Sequence, residues 1–212
     1  HFAILVTGCD NLKIDNATID TNRDGLDLDC CRNTTVSNCR INSPNDDGLC
    51  PKSTYALGET RLTENLTIVN CQVSGFKEGT LLDGTYKRSQ LIPPLKHRTS
   101  GRIKLGTESN GGYRNIAISN CGFDCCNGLA LESVDGGALE DVTVSNIVMR
   151  DVTLAPLFIR LGDRRRAPAG EGLGTAASLT AMSAPSSRSA SVTAASGPAV
   201  SAAASTAGRR CG

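Results

Sequence analysis

Two short stretches of the sequence each place an aspartate before Gly-Leu. The first, "NRDGLDLDCC", contains Asp24, and the second, "NSPNDDGLCPKS", contains Asp47 together with a further aspartate, Asp46. Carboxylates that are held close together raise one another's pKa. Carboxyl groups whose pKa values are pushed apart in this way perform the acid and base steps of glycosidic bond hydrolysis. The spacing therefore predicts a sugar-cleaving cluster of Asp24, Asp46 and Asp47. A calcium site and solvated turn aspartates are the two simpler interpretations.

A repeated pattern along the chain explains how these aspartates could meet. Five similar segments, such as "NTTVSNC" and "NIAISNC", begin at Asn11, Asn33, Asn65, Asn115 and Asp141, so their starts differ by 22, 32, 50 and 26 residues. Apolar and polar residues alternate within each segment, which is typical of a strand. A unit of roughly 22 to 26 residues fits. We expect an insertion in the second interval and one additional coil inside the third.

An asparagine ends each of these strands. These residues are Asn16, Asn38, Asn70, Asn120 and Asn146, and a cysteine follows three of them. Asparagine tolerates the left-handed backbone of a tight turn, and stacked asparagines can form a ladder. Short strands, tight turns and a period in the low twenties predict an all-β fold, a parallel β-helix. The alternative, a leucine-rich repeat, lacks its L-x-x-L-x-L spacing here.

In a parallel β-helix, equivalent positions of adjacent coils lie about 4.8 Å apart. The fold would therefore stack Asp24 beside Asp47, and Asp46 would approach them from a different angle. The three carboxylates would then face one sugar bond.

The bulk composition excludes several classes of partner. The net charge of +1 gives no reason to expect a nucleic acid or an anionic membrane. No apolar run approaches the length of a membrane span. The ten cysteines show no C-x-x-C spacing of a zinc site, and we interpret them as small buried residues. No metal and no cofactor is expected.

The repeat pattern stops before the end of the chain. We expect residues 1–166 to be a partial β-helix domain that lacks its N-terminal coils. Residues 167–212 are almost all Ala, Ser, Gly, Thr and Pro. Such a composition cannot bury much apolar surface, so disorder is the default expectation. Translation in a shifted reading frame is a second explanation of this segment.

The order N-x-D-G-L-D, then D-D-G one coil later followed by K-S, resembles glycoside hydrolase family 28. These enzymes are the polygalacturonases and their relatives, which are right-handed parallel β-helices. The Gly-Thr-Glu and Gly-Gly of "GRIKLGTESNGGYRNIAISNC" are similar to a stretch of the bacterial exo-acting branch. The resemblance covers about residues 1–162.

This resemblance implies an inverting hydrolase of pectic polysaccharides or oligosaccharides. Asp46 would be the general acid, and Asp24 and Asp47 would hold and deprotonate the attacking water. Inversion needs room for that water, so the acid and base carboxyls should lie roughly 6.5 to 9.5 Å apart. Because the expected substrate is a polymeric sugar, we expect a secreted or periplasmic location. We also expect a monomer.

The sequence departs from the family at two motifs. Ser100 stands where the family has a histidine, and Ala130 and Glu132 replace an arginine and a lysine that bind the uronate carboxylate. A glutamate would repel such a carboxylate, although Arg102 and Lys104, one coil earlier, could compensate. The residues expected to bind substrate are Asn22, Lys52, Arg102, Lys104, Glu108 and Glu132.

Two other functions fit the same sequence. A polysaccharide lyase on this fold would use a basic residue such as Arg102 to abstract a proton and would bind the uronate through calcium. A non-catalytic β-helix, such as an adhesin or a glycan-binding module, would not need the family histidine, arginine and lysine that are absent from this sequence. The fold alone does not decide between them.

Overall fold

A computed structural model describes residues 2–88, 99–164, 166 and 179–180. These residues contain seventeen strands and no helix. All strand pairings between these elements are parallel. The chain is therefore a parallel β-helix, as the repeats predicted.

The strands form three faces of the β-helix. Each coil contributes one strand to each face, except that the last coil has no described strand on the third face. The first face consists of β1 (Ile4–Thr7), β4 (Leu26–Asp29), β7 (Leu49–Lys52), β10 (Lys104–Leu105), β13 (Leu129–Ser133) and β16 (Leu157–Leu161). The second consists of β2 (Lys13–Asp15), β5 (Arg32–Ser37), β8 (Thr63–Val69), β11 (Tyr113–Ser119), β14 (Leu139–Ser145) and β17 (Leu179–Thr180). The third consists of β3 (Thr18–Asp20), β6 (Arg40–Asn42), β9 (Gln72–Ser74), β12 (Gly122–Asp124) and β15 (Val148–Arg150).

The longest interval between repeats does not contain an additional coil, and this expectation was wrong. Ile68 of β8 pairs directly with Ile118 of β11, so the two strands belong to neighbouring coils. The extra residues lie in the connection between β9 and β10, part of which falls outside the described residues. A solenoid tolerates such an insertion because a surface loop leaves the stacked strands in register.

The core of the β-helix is a set of aliphatic columns. Alternate residues of each strand point inward and stack on their counterparts in the next coil, as Val36, Ile68 and Ile118 do. All three are at most 1% exposed. Each fully buried aliphatic side chain contributes about 1.5–3 kcal/mol relative to an exposed one. The stack therefore compensates for the low aromatic content of 3%.

The predicted asparagine ladder is present in part, because Asn38 donates to Asp15 rather than to Asn16, and a second ladder runs beside it. Asn70 donates to Asn38 over 3.4 Å, and Asn146 donates to Asn120 over 2.5 Å. The second ladder, which the sequence analysis missed, joins the residues that begin each repeat, Asn11, Asn33, Asn65 and Asn115. The asparagines of both ladders have positive φ angles of 50° to 57°. They therefore adopt the left-handed backbone conformation that the two bends of every coil require.

Substitution of Asn65 tests how much these bends contribute to the stability of the fold. Asn65 has a φ of 55°, donates to Asn33 over 2.9 Å and accepts from Asn115 over 2.8 Å. We expect Asn65→Ala to lower the free energy of unfolding by about 1–3 kcal/mol, because alanine is strained at this φ. Asn65→Gly removes the same hydrogen bonds without the strain and should lose less. Denaturant unfolding of both variants measures the difference, and equal losses would contradict the backbone explanation.

The cysteines and the C-terminal segment match the sequence expectations in part. The nine cysteines in the described residues are free, and all but Cys9 are buried. The predicted low-complexity segment, residues 167–212, lies outside the described residues except for Leu179–Thr180, which pairs with β14. Within the part of the chain that the structure describes, no helix is long and apolar enough to span a bilayer.

Candidate carboxylate active site

Two adjacent strands of the first face bring Asp24 and Asp47 together. Asp24 precedes β4 and Asp47 precedes β7, and Leu26 pairs with Leu49 in register. The Asp47 amide N–H donates to Oδ1 of Asp24 over 3.1 Å and also to Oδ1 of Asp46 over 3.1 Å. One carboxylate oxygen from each of the three aspartates lies within 4.8 Å of the others. The structure therefore brings together the three carboxylates that the sequence predicted to be catalytic.

The glycine of each Asp-Gly-Leu allows the coils to approach closely. A Cβ atom on Gly25 would lie 2.6 Å from the carbonyl oxygen of Gly48, and one on Gly48 would lie 2.8 Å from the carbonyl oxygen of Gly101. Such contacts are too short for any other residue. The repeated glycine therefore keeps the aspartates before it in one column.

Asp47 is the buried, ionised member of the cluster. Its Oδ1 accepts from Ser100 Oγ over 2.8 Å and from Arg102 Nε over 2.9 Å, and its Oδ2 lies 2.7 Å from Lys104 Nζ. Burial opposes ionisation of Asp47, but the positive charges of Lys104 and Arg102 outweigh it, so the pKa of this carboxyl lies below its usual value. Ser100 thus contacts the cluster directly.

Asp46 is the half-buried member, and its pKa moves in the opposite direction. Burial, a hydrogen bond with Asp24 and the negative charges of Asp24 and Asp47 all raise the pKa of Asp46, and only Arg23 opposes them. The Arg23 guanidinium lies 3.0 Å from Oδ2 of Asp46, and its side chain is largely exposed. Asp46 is therefore the carboxyl of this cluster whose surroundings favour the protonated form, and it is partly open to solvent.

Lys52 binds Asp24 from the end of β7. Its Nζ lies 2.8 Å from Oδ2 of Asp24 and 4.0 Å from Glu108. Burial alone would lower the pKa of Lys52. Its acidic neighbours raise this pKa by a larger amount, so it lies above its usual value. Lys52 is therefore a permanent ammonium at the floor of the site.

The stacked coils bring the carboxylate oxygens close together. One oxygen from each of Asp24, Asp46 and Asp47 lies within 4.8 Å of the others, because stacked positions of the β-helix are one strand spacing of about 4.8 Å apart. The separation of roughly 6.5 to 9.5 Å between acid and base carboxyls that inversion requires stays a prediction.

The residues expected to bind substrate occupy different environments. Arg102 lies between Asp47 and Glu132, with its guanidinium 3.5 Å from Oε1 of Glu132. Glu132 is buried on β13, whereas Asn22 is exposed in the bend before β4. Glu108 is half-exposed and lies 3.4 Å from Arg164. Like Lys52, the other four charged candidates each have an ionic partner within the protein. These residues are Arg102, Lys104, Glu108 and Glu132.

A buried acid whose charge interacts with the cluster was missed by the sequence analysis. Asp27 lies on β4, is 0% exposed, and has Lys52 Nζ 3.1 Å from its Oδ2. Burial and the charge of Asp24 raise the pKa of Asp27 to about 7, against the attraction of Lys52. The final aspartate of the N-x-D-G-L-D motif was its only signal in the sequence.

The aspartates could also act as metal ligands. Oxygens of Asp24, Asp46 and Asp47 are near enough to one another to contact one cation, and so are Asp24 and Asp27 together with the Cys50 thiol. Carboxylate oxygens suit calcium or magnesium. Lys52, Arg102 and Lys104 already lie 2.7–2.9 Å from Asp24 and Asp47, so a metal would compete with these cationic side chains.

Comparison with known families agrees with the architecture. The family model for the right-handed beta helix region matches residues 2–153. The chain belongs to the right-handed beta helix family. No curated protein and no solved structure gives a significant match. A right-handed beta helix can be an enzyme or a non-catalytic protein, so its chemistry has to be argued from the carboxylate cluster.

Proposed function

We propose that this right-handed beta helix is a glycoside hydrolase that cleaves O-glycosyl bonds of a pectic polysaccharide or oligosaccharide. The observation that supports this function best is the contrast between two adjacent carboxyls. The pKa of Asp46 is raised and that of Asp47 is lowered, although the two residues are neighbours in sequence. Carboxyl groups whose environments push their pKa values apart are the acid and the base of many hydrolases.

The proposed reaction uses each carboxyl in the protonation state that its surroundings favour. Asp46 donates its proton to the glycosidic oxygen as the bond to the anomeric carbon breaks. A water molecule held by Asp24 and Asp47 loses a proton to one of these carboxylates and adds to the anomeric carbon. The products are two sugar hydroxyl compounds. Asp46 then regains a proton from solvent, and the carboxyl that accepted the proton of water releases it to solvent.

The ion pairs around Asp47 influence which sugar is preferred at the cleavage site. Arg102 and Lys104 are the cations nearest to the cluster on the fourth coil, but both bind Asp47 and Arg102 also faces Glu132. A uronate carboxylate at the cleavage site would therefore compete with two protein carboxylates. We expect a rhamnogalacturonan-type or neutral sugar to be preferred there over galacturonate.

The test is product analysis with the full chain on polygalacturonan and on rhamnogalacturonan. A hydrolase releases reducing sugar without UV absorption, whereas a lyase forms unsaturated products that absorb in the UV and requires calcium. We expect reducing sugar, with rhamnogalacturonan the better substrate. UV-absorbing, calcium-dependent products would overturn the proposal in favour of a lyase. Binding without cleavage of either polymer by the folded protein would indicate a glycan-binding module.

The stereochemistry of the product separates two versions of this mechanism. The family resemblance implies inversion, in which Asp24 or Asp47 deprotonates water. In a retaining course, a carboxylate would instead attack the anomeric carbon directly, and retaining enzymes place their carboxyls about 5–5.5 Å apart. The anomer formed first, observed by proton NMR before mutarotation, identifies the course of the reaction.

A further inference from the structure

A groove on the third face of the β-helix is separate from the carboxylate cluster. Outward-facing residues of β6, β9, β12 and β15 form its floor, and the connection that follows β9 forms its wall. Its volume is about 840 Å³, and none of the three aspartates of the cluster lines it. Sites for small ligands have volumes of about 300–1,000 Å³. The groove therefore has the size of a binding site, and the proposed hydrolysis does not use it.

The centre of the floor is left open by a glycine. The residues that pair in one row across the four floor strands are Arg40, Gln72, Gly122 and Val148. Phe123, the next residue along β12, is buried, so this row faces outward. Among the described residues, a Cβ atom on Gly122 would have only Gln72 Cγ near it, at 3.8 Å. A glycine inside a strand marks a bulge or a close approach to the backbone. The register of β12 is unbroken, which favours a close approach from outside.

The wall of the groove presents an aromatic ring on a strained backbone. Tyr86 has a φ of 47°, which is an outlier for a bulky residue. It is 43% exposed, and its ring packs edge-on against that of Phe76 with the centroids 5.6 Å apart. Residues in such conformations are concentrated at functional sites, including those that hold ligands. The fold thus accepts strain to keep this ring beside the groove.

Arg40 gives the groove a positive charge that the protein does not neutralise. In the part of the chain that the structure describes, the other two arginines of the groove each pair with an aspartate, whereas Arg40 has no ion pair. Its Nη2 donates to Tyr86 Oη over 3.1 Å, and its Cζ lies 5.9 Å from the centroid of the same ring. A guanidinium has five N–H donors and binds a carboxylate through two of them. Arg40 therefore keeps donors for an anion at the edge of an aromatic surface.

We propose that this groove is a second glycan site, which binds an oligosaccharide through one of its uronate units. Arg40 binds the carboxylate, and the apolar body of the Tyr86 ring packs against the carbon face of the sugar. The exposed amide of Gln72 bonds to hydroxyls, and Gly122 lets the sugar ring lie against the strand. The choice of a sugar rests on the proposed hydrolysis of a pectic polymer, whose uronates would be held here while the cluster acts on another unit.

An acidic peptide fits the same floor less well. A peptide that adds to a sheet needs an unpaired strand edge, but β9 and β12 each pair with a strand on both sides. Their backbone donors and acceptors are therefore already used. The groups that remain free at the floor are side chains, which suit the hydroxyls and the carboxylate of a sugar.

The test is an NMR titration of the full chain with trigalacturonate, followed at the amide signals of Gly122 and Val148. Asp46→Asn is the background, so that the ligand is not cleaved. We expect both signals to shift and Arg40→Gln to weaken binding by about 10- to 100-fold, as for a lost charged hydrogen bond. Arg114→Gln is the matched control, because Arg114 pairs with Glu64 on the second face, and it should bind as the background does.

A second variant blocks the groove without changing its charge. Gly122→Gln adds a side chain to the open floor and should abolish the shift at Val148. The neutral trisaccharide of galactose, which lacks the carboxylates, should bind more weakly than trigalacturonate and should not respond to Arg40→Gln. Unchanged affinity in both groove variants would overturn the proposal, and so would equal binding of the neutral trisaccharide. Equal binding of polyglutamate would also overturn it, in favour of a site for acidic peptides.

Failure of this proposal can be distinguished from failure of the proposed function. Binding of trigalacturonate at Gly122 and Val148 by a protein that cleaves no glycan would refute the hydrolase and leave the second site. Hydrolysis of glycan by a protein whose Gly122 and Val148 signals do not respond to trigalacturonate would refute the second site and leave the hydrolase.

Discussion

Replacing Asp46 with asparagine is expected to lower the rate of glycan hydrolysis by about 10²- to 10⁴-fold, the range for a general acid, while the protein stays folded. Asparagine has nearly the same shape but cannot donate a carboxyl proton to the leaving oxygen. Asp46 is half-buried and its ionic partner Arg23 is largely exposed, so the change removes little packing. The loss should appear in kcat, because the proton transfer occurs in the transition state.

A matched control is available on another face of the β-helix. Asp124 on β12 is also partly exposed and also binds an arginine, with Arg150 Nε 3.4 Å from its Oδ2. Asp124→Asn makes the same chemical change outside the carboxylate cluster and should leave hydrolysis unchanged. If Asp46→Asn kept more than a tenth of the wild-type kcat, Asp46 would not be the general acid. If both variants lost activity equally, the effect would be structural.

The parts of the fold that the sequence predicted are those with a local signal. A period of two within each segment shows strands, and the asparagines at their ends show turns, because both follow from the backbone of a few adjacent residues. The stacking of Asp24 on Asp47 followed from the same repeat, since one coil separates the two. The additional coil was predicted wrongly because a repeat interval alone does not distinguish a coil from a long loop.

The charge network could not be predicted for a related reason. Asp47 and Arg102 are separated by a connection between β9 and β10 that has no repeat pattern, so their register becomes visible only in the structure. Arg102 and Lys104 were expected to bind a uronate, whereas the structure pairs both with Asp47. The ammonium that pairs with Asp27 belongs to Lys52 on the next coil. These contacts are set by the packing of coils, for which no local pattern exists.

Replacing Asp47 with asparagine is expected to destabilise the protein by about 3–5 kcal/mol, the usual cost of removing one partner of a buried ion pair. The side chains of Arg102 and Lys104 are each 14% exposed and that of Asp47 is 3% exposed. Without the negative charge of Asp47, two largely buried cations would face Glu132 alone. Urea unfolding at pH 7 measures this loss, and Asp124→Asn should change stability by less than about 1 kcal/mol, as for an exposed pair.

The pH dependence of this loss follows from the lowered pKa of Asp47. A carboxyl with a lowered native pKa stabilises the fold above its unfolded value, near pH 4, and this stabilisation disappears as the pH falls through the native value. The difference between wild type and Asp47→Asn should therefore be constant near neutral pH and shrink below about pH 4. A difference that persisted under strongly acidic conditions would show that shape, rather than charge, explains the loss.

A double variant distinguishes the stability lost with the ion pair from the cost of leaving buried cations without a partner. In Asp47→Asn, the further change Lys104→Met removes one buried ammonium and keeps the apolar stem of the side chain. We expect it to restore part of the stability in that background, although the same change in the wild type should destabilise, because there it breaks the pair with Asp47. Residues in contact are coupled in this way. Simple addition of the two losses would contradict a direct interaction between Asp47 and Lys104, and with it the charge balance on which the ionised state of Asp47 depends.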